Sequence, residues 1–251
     1  MDWRALNRAN WDERVAVHLG PAGYDLGPVA GLRVLHLQCH FGKDSLVLAS
    51  RGAEVTGLDF SAPAIEAARA LALELNLPAR FVLTDLYEAP SAISGAFDLV
   101  FTTWGTITWL PDVARWAQVV AGFLRPGGAL YFADSHPAAL VFDDMAGRDA
   151  SGKPGWFVPY FAREALVIDD PSDYADPEAR LANQRQVNWL HTLGDMIETL
   201  HAAGLRLEWL REHPRITWQM FRCLVRDADG CWSWPDRRWL PLSVSLRALR
   251  D

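Results

Sequence analysis

Between Leu32 and Asp134 one pattern recurs: a compact apolar run followed by a stretch with helical spacing. The runs are RVLHLQ, AEVTGLD, ARFVLTD, FDLVFT and GALYFAD. Short apolar runs alternating with helical segments specify parallel strands joined by crossover helices, so this part of the chain reads as an α/β sheet. The helical stretches carry signals of their own. Ser61 stands where an N-cap belongs, ahead of PAIEAARALALEL, in which Ile65, Ala68, Leu71 or Ala72, and Leu75 fall on one face. Pro111 opens a second helix, whose Val113, Trp116, Val119 or Val120, and Phe123 repeat at that spacing until Pro126-Gly127-Gly128 ends it.

Outside this core the pattern changes. Asn7 to Leu19 reads as a short amphipathic helix with Trp11, Val15 and His18 or Leu19 in line. After Asp134 a stretch rich in Asp, Pro, Gly and aromatics runs to roughly Asn188, the kind of long irregular insertion that covers a functional site. A helix near Leu193 to Ala203, stopped by Gly204, and the strands LRLEWLREH and LPLSVSLRAL bring the count to seven strands. Between those two strands, residues 216–239 hold four Trp and an Asp229-Gly230 turn, and read as a hairpin or flap. The expected organisation is one domain over 1–251: a helical cover (1–30), a core (31–135), an insertion over the substrate (136–188), and a C-terminal helix, strands and flap (189–251).

Composition narrows the function. A chain of 251 residues, 50% hydrophobic, buries a sizeable core without metals or disulfides. Cys39, Cys223 and Cys231 cannot all pair, no secretory signal is visible, and no apolar stretch nears the roughly 20 residues that cross a bilayer. The expectation is a cytoplasmic protein away from membranes. A net charge of −7 without a Lys or Arg block argues against nucleic acid as partner and for a small-molecule substrate; oligomeric state is not legible. His36, Cys39 and His40 lie close together, but no CxxC or HExxH spacing accompanies them, so no metal is expected.

In an open α/β sheet, ligands bind beyond the carboxyl ends of the strands. Four such tips are polar or aromatic here: Gln38-Cys39-His40-Phe41-Gly42, Asp59-Phe60-Ser61, Thr84-Asp85-Leu86 and Thr102-Thr103-Trp104-Gly105. An acid ending the second strand is placed to accept both ribose hydroxyls of a nucleoside, and Asp59 lies 17 residues beyond Gly42 (59 − 42), near the spacing of about 20 in nucleotide folds. The alternative for Asp59 is an interaction with the dipole of the helix that begins at Ser61.

The segments RVLHLQCHFGKDSLVLASRGAEVTGLDFS, FVLTDLYEAP, FDLVFTTWGTITWLPD and FLRPGGALYFAD resemble, in order and spacing, the consecutive motifs of class I S-adenosylmethionine-dependent methyltransferases. The LHLQCHFG form of the first motif, the N-terminal Trp11 and Tyr24, and the tail NWLHTLGDMIETLHAAGL resemble a bacterial branch of that superfamily. The resemblance implies a Rossmann-like doubly wound seven-stranded sheet with helices on both faces, mostly parallel with an antiparallel last strand. It implies S-adenosylmethionine as cofactor and methyl transfer to an oxygen or nitrogen. By the same resemblance, the turn Gln38 to Gly42, Cys39 included, lies under the methionine part. Asp59 holds the ribose, Phe60 packs on adenine, Asp85 accepts from the adenine amine beside the Leu86 backbone, and Thr102 or Thr103 lies near the methionine moiety. Tyr24, Ser61 and Thr84 complete that set. The pattern's usual acid is His36 here, and two of its usual glycines are Gln38 and His40. Side chains at those two places obstruct a pyrophosphate, which disfavours NAD, whereas a phosphate-free cofactor tolerates them.

Removal of a proton from the acceptor calls for a general base. His136, directly after the fifth strand, and His191, at the start of a helix, are the candidates, and each has the alternative of only satisfying a backbone group. Trp11, Trp104, Trp109, Trp156, Tyr160, Tyr174 and Trp189 would wall a substrate pocket, or pack in the core, the role expected for Trp116 and Trp209. Two further readings remain at this stage: a non-catalytic nucleoside-binding regulator, and a methyltransferase acting on RNA or protein.

Overall fold

The computed structural model describes residues 26–169, 185–236 and 238–251. The N-terminal segment with Trp11 and Tyr24, and Tyr174, lie outside them. In chain order the elements are β1 (Arg33–His36), α1 (Lys43–Ser50), β2 (Glu54–Asp59), α2 (Ala62–Glu74), β3 (Ala79–Leu83), α3 (Ala89–Ala92), β4 (Phe97–Thr103), α4 (Val113–Phe123), β5 (Leu124–Ser135), α5 (Pro137–Leu140), β6 (Phe142–Arg148), β7 (Pro154–Trp156), β8 (Leu166–Asp169), β9 (Arg185–Asn188), α6 (Leu193–Ala202), β10 (Leu205–His213), β11 (Arg215–Ile216), β12 (Val225–Arg226), β13 (Trp232–Ser233) and β14 (Ser243–Arg250).

Seven strands form one sheet in the order β10-β14-β5-β4-β1-β2-β3. Strands β3, β2, β1, β4 and β5 pair in parallel, while β14 runs antiparallel to both β5 and β10. Successive residues of a strand face opposite sides, and both sides are covered. Leu35, Val100 and Phe132 pack with Trp116 of α4 and Met196 of α6, whereas Val34, Val55 and Phe101 pack with Leu48 and Ala49 of α1. Because β1 pairs with β2 on one side and β4 on the other, the winding reverses between β1 and β4, which sets the ligand crevice at their carboxyl ends.

The helix starts follow local chemistry. Ser61 caps α2, its Oγ accepting from Ala64 N at 3.4 Å, and Ile65, Ala68 and Ala72 are buried; Leu75 is 48% exposed, because the helix has ended there. Pro111 does not open α4. Asp112 caps it, taking Arg115 N at 2.9 Å, and the helix passes at Phe123 directly into β5, so Pro126-Gly127-Gly128 lies within the strand. Gly128 is required there: a Cβ would sit 2.9 Å from Arg125 O and 3.0 Å from Phe97 O. The start of α6 is a reciprocal capping box between Thr192 and Asp195, rather than at His191.

Among its described residues the insertion is not irregular. It holds α5, the hairpin β6–β7 and the ribbon β8–β9. Its strands escaped notice because FDDMAGR breaks apolar alternation with Asp and Gly, and the others are three or four residues long. The Trp-rich flap is a three-stranded sheet, β11-β13-β12, with its own small core. Trp234, 0% exposed, stacks on Phe221 at 5.3 Å and donates Nε1–H to Leu240 O at 2.8 Å. No helix among the described residues is long and apolar enough to cross a membrane.

Asp134, at the carboxyl end of β5 and 1% exposed, ties β5 to the loop after β4. Its Oδ1 accepts from Gly105 N and Ser135 N, both at 2.7 Å, and its Oδ2 from Thr106 N at 2.9 Å, Thr106 Oγ1 at 3.1 Å and Ile107 N at 3.3 Å. In Asp134→Asn, one oxygen becomes an NH2 facing donors; with hydrogen bonds to a charged group worth about 1.5–3 kcal/mol each, a loss of about 3 kcal/mol or more in urea unfolding is expected. A loss under about 1 kcal/mol shows that the loop holds without the carboxylate.

Candidate active site

The turn from β1 to α1 forms the floor of the crevice. Gln38 and His40, which stand where the pattern has glycine, both adopt the left-handed backbone, each with φ of 52°. Such a conformation is uncommon for residues with a Cβ and concentrates at functional sites. The turn thus keeps the shape that glycines give it while carrying two side chains. Gly42, with φ of 78°, is irreplaceable: a Cβ would lie 2.7 Å from the Phe81 ring and 2.9 Å from Ala68 Cβ.

Asp59 closes β2 directly across this turn. It is 7% exposed, its Oδ2 accepts from His40 N at 2.9 Å and its Oδ1 from Ser61 N at 2.9 Å. One bond per oxygen leaves each with capacity for another donor. Phe60, next in the chain, is 70% exposed at the rim, a flat apolar face in a position otherwise open to water. At β3, Thr84 N donates to Asp59 O at 3.0 Å and Asp85 Oδ1 accepts from Tyr87 N at 2.8 Å, while the Leu86 side chain is in the core. At β4, Thr103 Oγ1 donates to Asp44 Oδ2 at 3.3 Å, and buried Thr102 Oγ1 has no partner among the described residues.

Several expected contacts are instead structural. The Cys39 side chain packs in the cluster with Leu46, Ile65 and Phe81, and burial pushes its thiol pKa well up, so its side chain is a packing group. The Ser61 hydroxyl serves the α2 cap. His136 caps α5: its Nδ1 accepts from Ala138 N at 3.0 Å, so its one accepting nitrogen is taken in this arrangement, and its Nε2 lies 2.8 Å from Glu212 Oε1. Tyr160 Oη accepts from Leu193 N at 3.2 Å. Trp156 is exposed and meets Phe142 edge-on at 5.6 Å. Trp116 is fully buried and Trp209 packs on the Phe101–Tyr131 side of the sheet, the core roles expected for both.

The loop after β4 is held from two sides. On one side, Gln38 Nε2 donates to Thr106 O at 3.1 Å. On the other, Trp189 N donates to Thr108 O at 2.8 Å and His191 Nε2 to Leu110 O at 2.6 Å. Since a carbonyl only accepts, His191 carries its proton on Nε2, and Nδ1 is left as the proton acceptor. Burial, opposed by the Leu110 carbonyl and by Asp195, pulls the His191 pKa below its ordinary value and keeps the ring neutral. His191 lines a cleft of ≈ 260 Å³ with Trp189, Pro111, Asp195 and Arg163, the last two forming an ion pair. Trp109 is half exposed on this loop, and Trp104, with φ of 54°, meets Trp218 of the flap edge-on at 5.5 Å. The flap's Trp218 went unassigned in sequence because nothing local links it to the β4 tip.

A doubly wound sheet whose winding reverses at β1 and β4, with an acid closing β2 and an antiparallel β14 inserted beside β5, is the architecture of a nucleoside-binding methyl-transferring fold. The comparisons agree. A model described as a methyltransferase domain matches residues 34–128. A ubiquinone biosynthesis O-methyltransferase from Pectobacterium carotovorum is 32% identical over 215 residues, 86% of this chain and 81% of that protein. The protein of that name from Cronobacter sakazakii is 31% identical over 131 residues, and there the chain spans about half of the relative, 51%. The solved S-adenosylmethionine-dependent methyltransferase from Mesorhizobium loti shares the fold, with a TM-score of 0.61 at 23% identity over 90% of this chain and 94% of that one. The chain belongs to the S-adenosylmethionine-dependent methyltransferases. The residues present fit that cofactor: a left-handed turn, a carboxylate with acceptor capacity to spare, an exposed aromatic face, and a buried, unpartnered Oε1 on Gln38.

His36 ends β1 beneath this site. Its Nδ1 is 2.8 Å from Ser45 Oγ, and burial pulls its pKa down from 6.5 to about 4 against the opposing pull of Asp44 and Asp59. Between pH 6.5 and about 4 the unfolded chain therefore binds a proton at this histidine that the folded chain does not, so its contribution to stability is intact above pH 6.5 and is lost as pH falls toward 4. At 1.36 kcal/mol per unit the loss is about 3 kcal/mol. The His36→Gln variant is expected to show a shallower fall of unfolding free energy over that window than the wild type, measured by urea titration at stepped pH. Parallel curves would mean that His36 is not held neutral.

Proposed function

We propose that the chain methylates a hydroxyl oxygen of a small molecule, with S-adenosylmethionine in the crevice at β1, β2 and β4 and the acceptor in the cleft beside His191. The observation that carries this reading is the Asp59 carboxylate, nearly buried across a turn held in the left-handed form. Asp59 accepts the two ribose hydroxyls, one on each oxygen, and Phe60 covers the adenine. Asp85, beside the Leu86 backbone, meets the adenine edge. The bound cofactor supplies an electrophilic methyl group. The protein's remaining tasks are to position the acceptor and to take its proton.

His191 suits that second task. Its tautomer is set by Leu110 O, its ring is neutral, and Nδ1 takes the hydroxyl proton. Trp189 offers an aromatic wall, and an acceptor with a phenol-like hydroxyl, whose pKa near 10 is low for an alcohol, is the chemistry such a base handles best. The relatives named as O-methyltransferases support oxygen as the acceptor atom.

Two outcomes test the proposal. Asp59→Ala removes acceptors for two ribose hydroxyls; the loss of even one, at about 1.5–3 kcal/mol for a bond to a charged group, lowers affinity for S-adenosylhomocysteine by about 10- to 150-fold, the smallest fall expected in calorimetric titration. Unchanged affinity puts the pocket elsewhere. His191→Gln keeps a donor for Leu110 O but loses the base, so kcat on a panel of phenols is expected to fall about 100-fold with S-adenosylhomocysteine affinity intact. Equal turnover in the variant removes His191 from the mechanism. A wild type that binds the cofactor and methylates nothing on the panel supports the non-catalytic reading.

A further inference from the structure

The methionine part of the cofactor is a zwitterion, and its ammonium brings three N–H donors that must find acceptors when water is displaced. His36, at the end of β1, does not meet that need. It is fully buried, its Nδ1 is occupied by Ser45, and its neutral ring offers no charge to a cation. Cys39 is turned into the core. Gln38 is different in kind. Its Oε1 is a buried side-chain oxygen with no hydrogen-bond partner among the described residues, a state that costs about 1–3 kcal/mol unless something donates to it. Its backbone is held at φ of 52°, where a glycine would sit without strain. Its amide is not free to turn, because Nε2 donates to Thr106 O at 3.1 Å, and Thr106 is itself anchored by Asp134. An amide fixed at its nitrogen end presents its oxygen in one direction.

We infer that Gln38 receives the cofactor's ammonium, its Oε1 accepting one N–H while Nε2 stays on Thr106 O. This rests on the cofactor reading above, and it assigns to an amide oxygen the place for which the chain carries no acid at the end of β1. A strained, non-glycine residue is retained because its side chain recognises the ligand and the loop at once.

The test is calorimetric titration of wild type, Gln38→Met and Gln38→Gly with three probes: S-adenosylhomocysteine, its desamino analogue, in which hydrogen replaces the ammonium while the carboxylate is kept, and 5′-methylthioadenosine. Met keeps the length without the oxygen, and Gly suits the left-handed backbone, so at least one variant folds. Both are expected to bind S-adenosylhomocysteine about tenfold more weakly, and the desamino analogue and methylthioadenosine as the wild type does. An equal loss on the desamino analogue assigns Gln38 to packing and overturns the inference, as does no loss at all. A wild type that fails to bind S-adenosylhomocysteine overturns the cofactor reading itself, a result visible before any variant is made.

Discussion

The arrangement of the site depends on one buried carboxylate. Asp134 accepts five hydrogen bonds, four of them from residues 105–107 in the loop that follows β4. A loop that leaves a strand with Trp104 in a left-handed conformation would be costly to hold by chain stiffness alone. Because Asp134 fixes Gly105 to Ile107, the carbonyls that come next point in set directions. Thr106 O takes the Gln38 amide, Thr108 O takes Trp189 N–H and Leu110 O takes the His191 ring. The turn after β1 and the cleft beside His191 are thus both registered to the same short piece of backbone.

Much of this was legible before any coordinates, and the reasons are physical. Strands β1, β4 and β5 stand out as compact apolar runs, since a strand buried on both faces has no polar alternation to disguise it. The position of Asp59 at the end of the second strand is legible because topology rather than neighbours dictates it. What lay hidden depends on distance in space. The engagement of His136 by Ala138 and Glu212, and of His191 by Leu110, comes from residues 2, 76 and 81 positions away, and only the first is local. The hairpins in the insertion were hidden for another reason: short exposed strands carry too few apolar residues to set a period.

The two departures at the first turn illustrate a division of labour between backbone and side chain. Glycine makes a left-handed turn cheap, but contributes nothing beyond shape. At Gln38 and His40 the same φ is kept with side chains present, while Gly42, hemmed in by Phe81 and Ala68, stays glycine because no space exists. Steric exclusion thus fixes the glycine at 42, while positions 38 and 40 carry the left-handed backbone with a Cβ.

The position of β14 has a bearing on how the chain assembles. It lies between β5 and β10, yet follows both in the chain, and pairs with β5 over Ala129–Ser135 and with β10 over Leu205–His213. As the chain leaves the ribosome, β5 presents an open edge and β10 has no strand to join until residues 243–250 emerge. The sheet is therefore completed only when β14 slots between β5 and β10, as a keystone completes an arch.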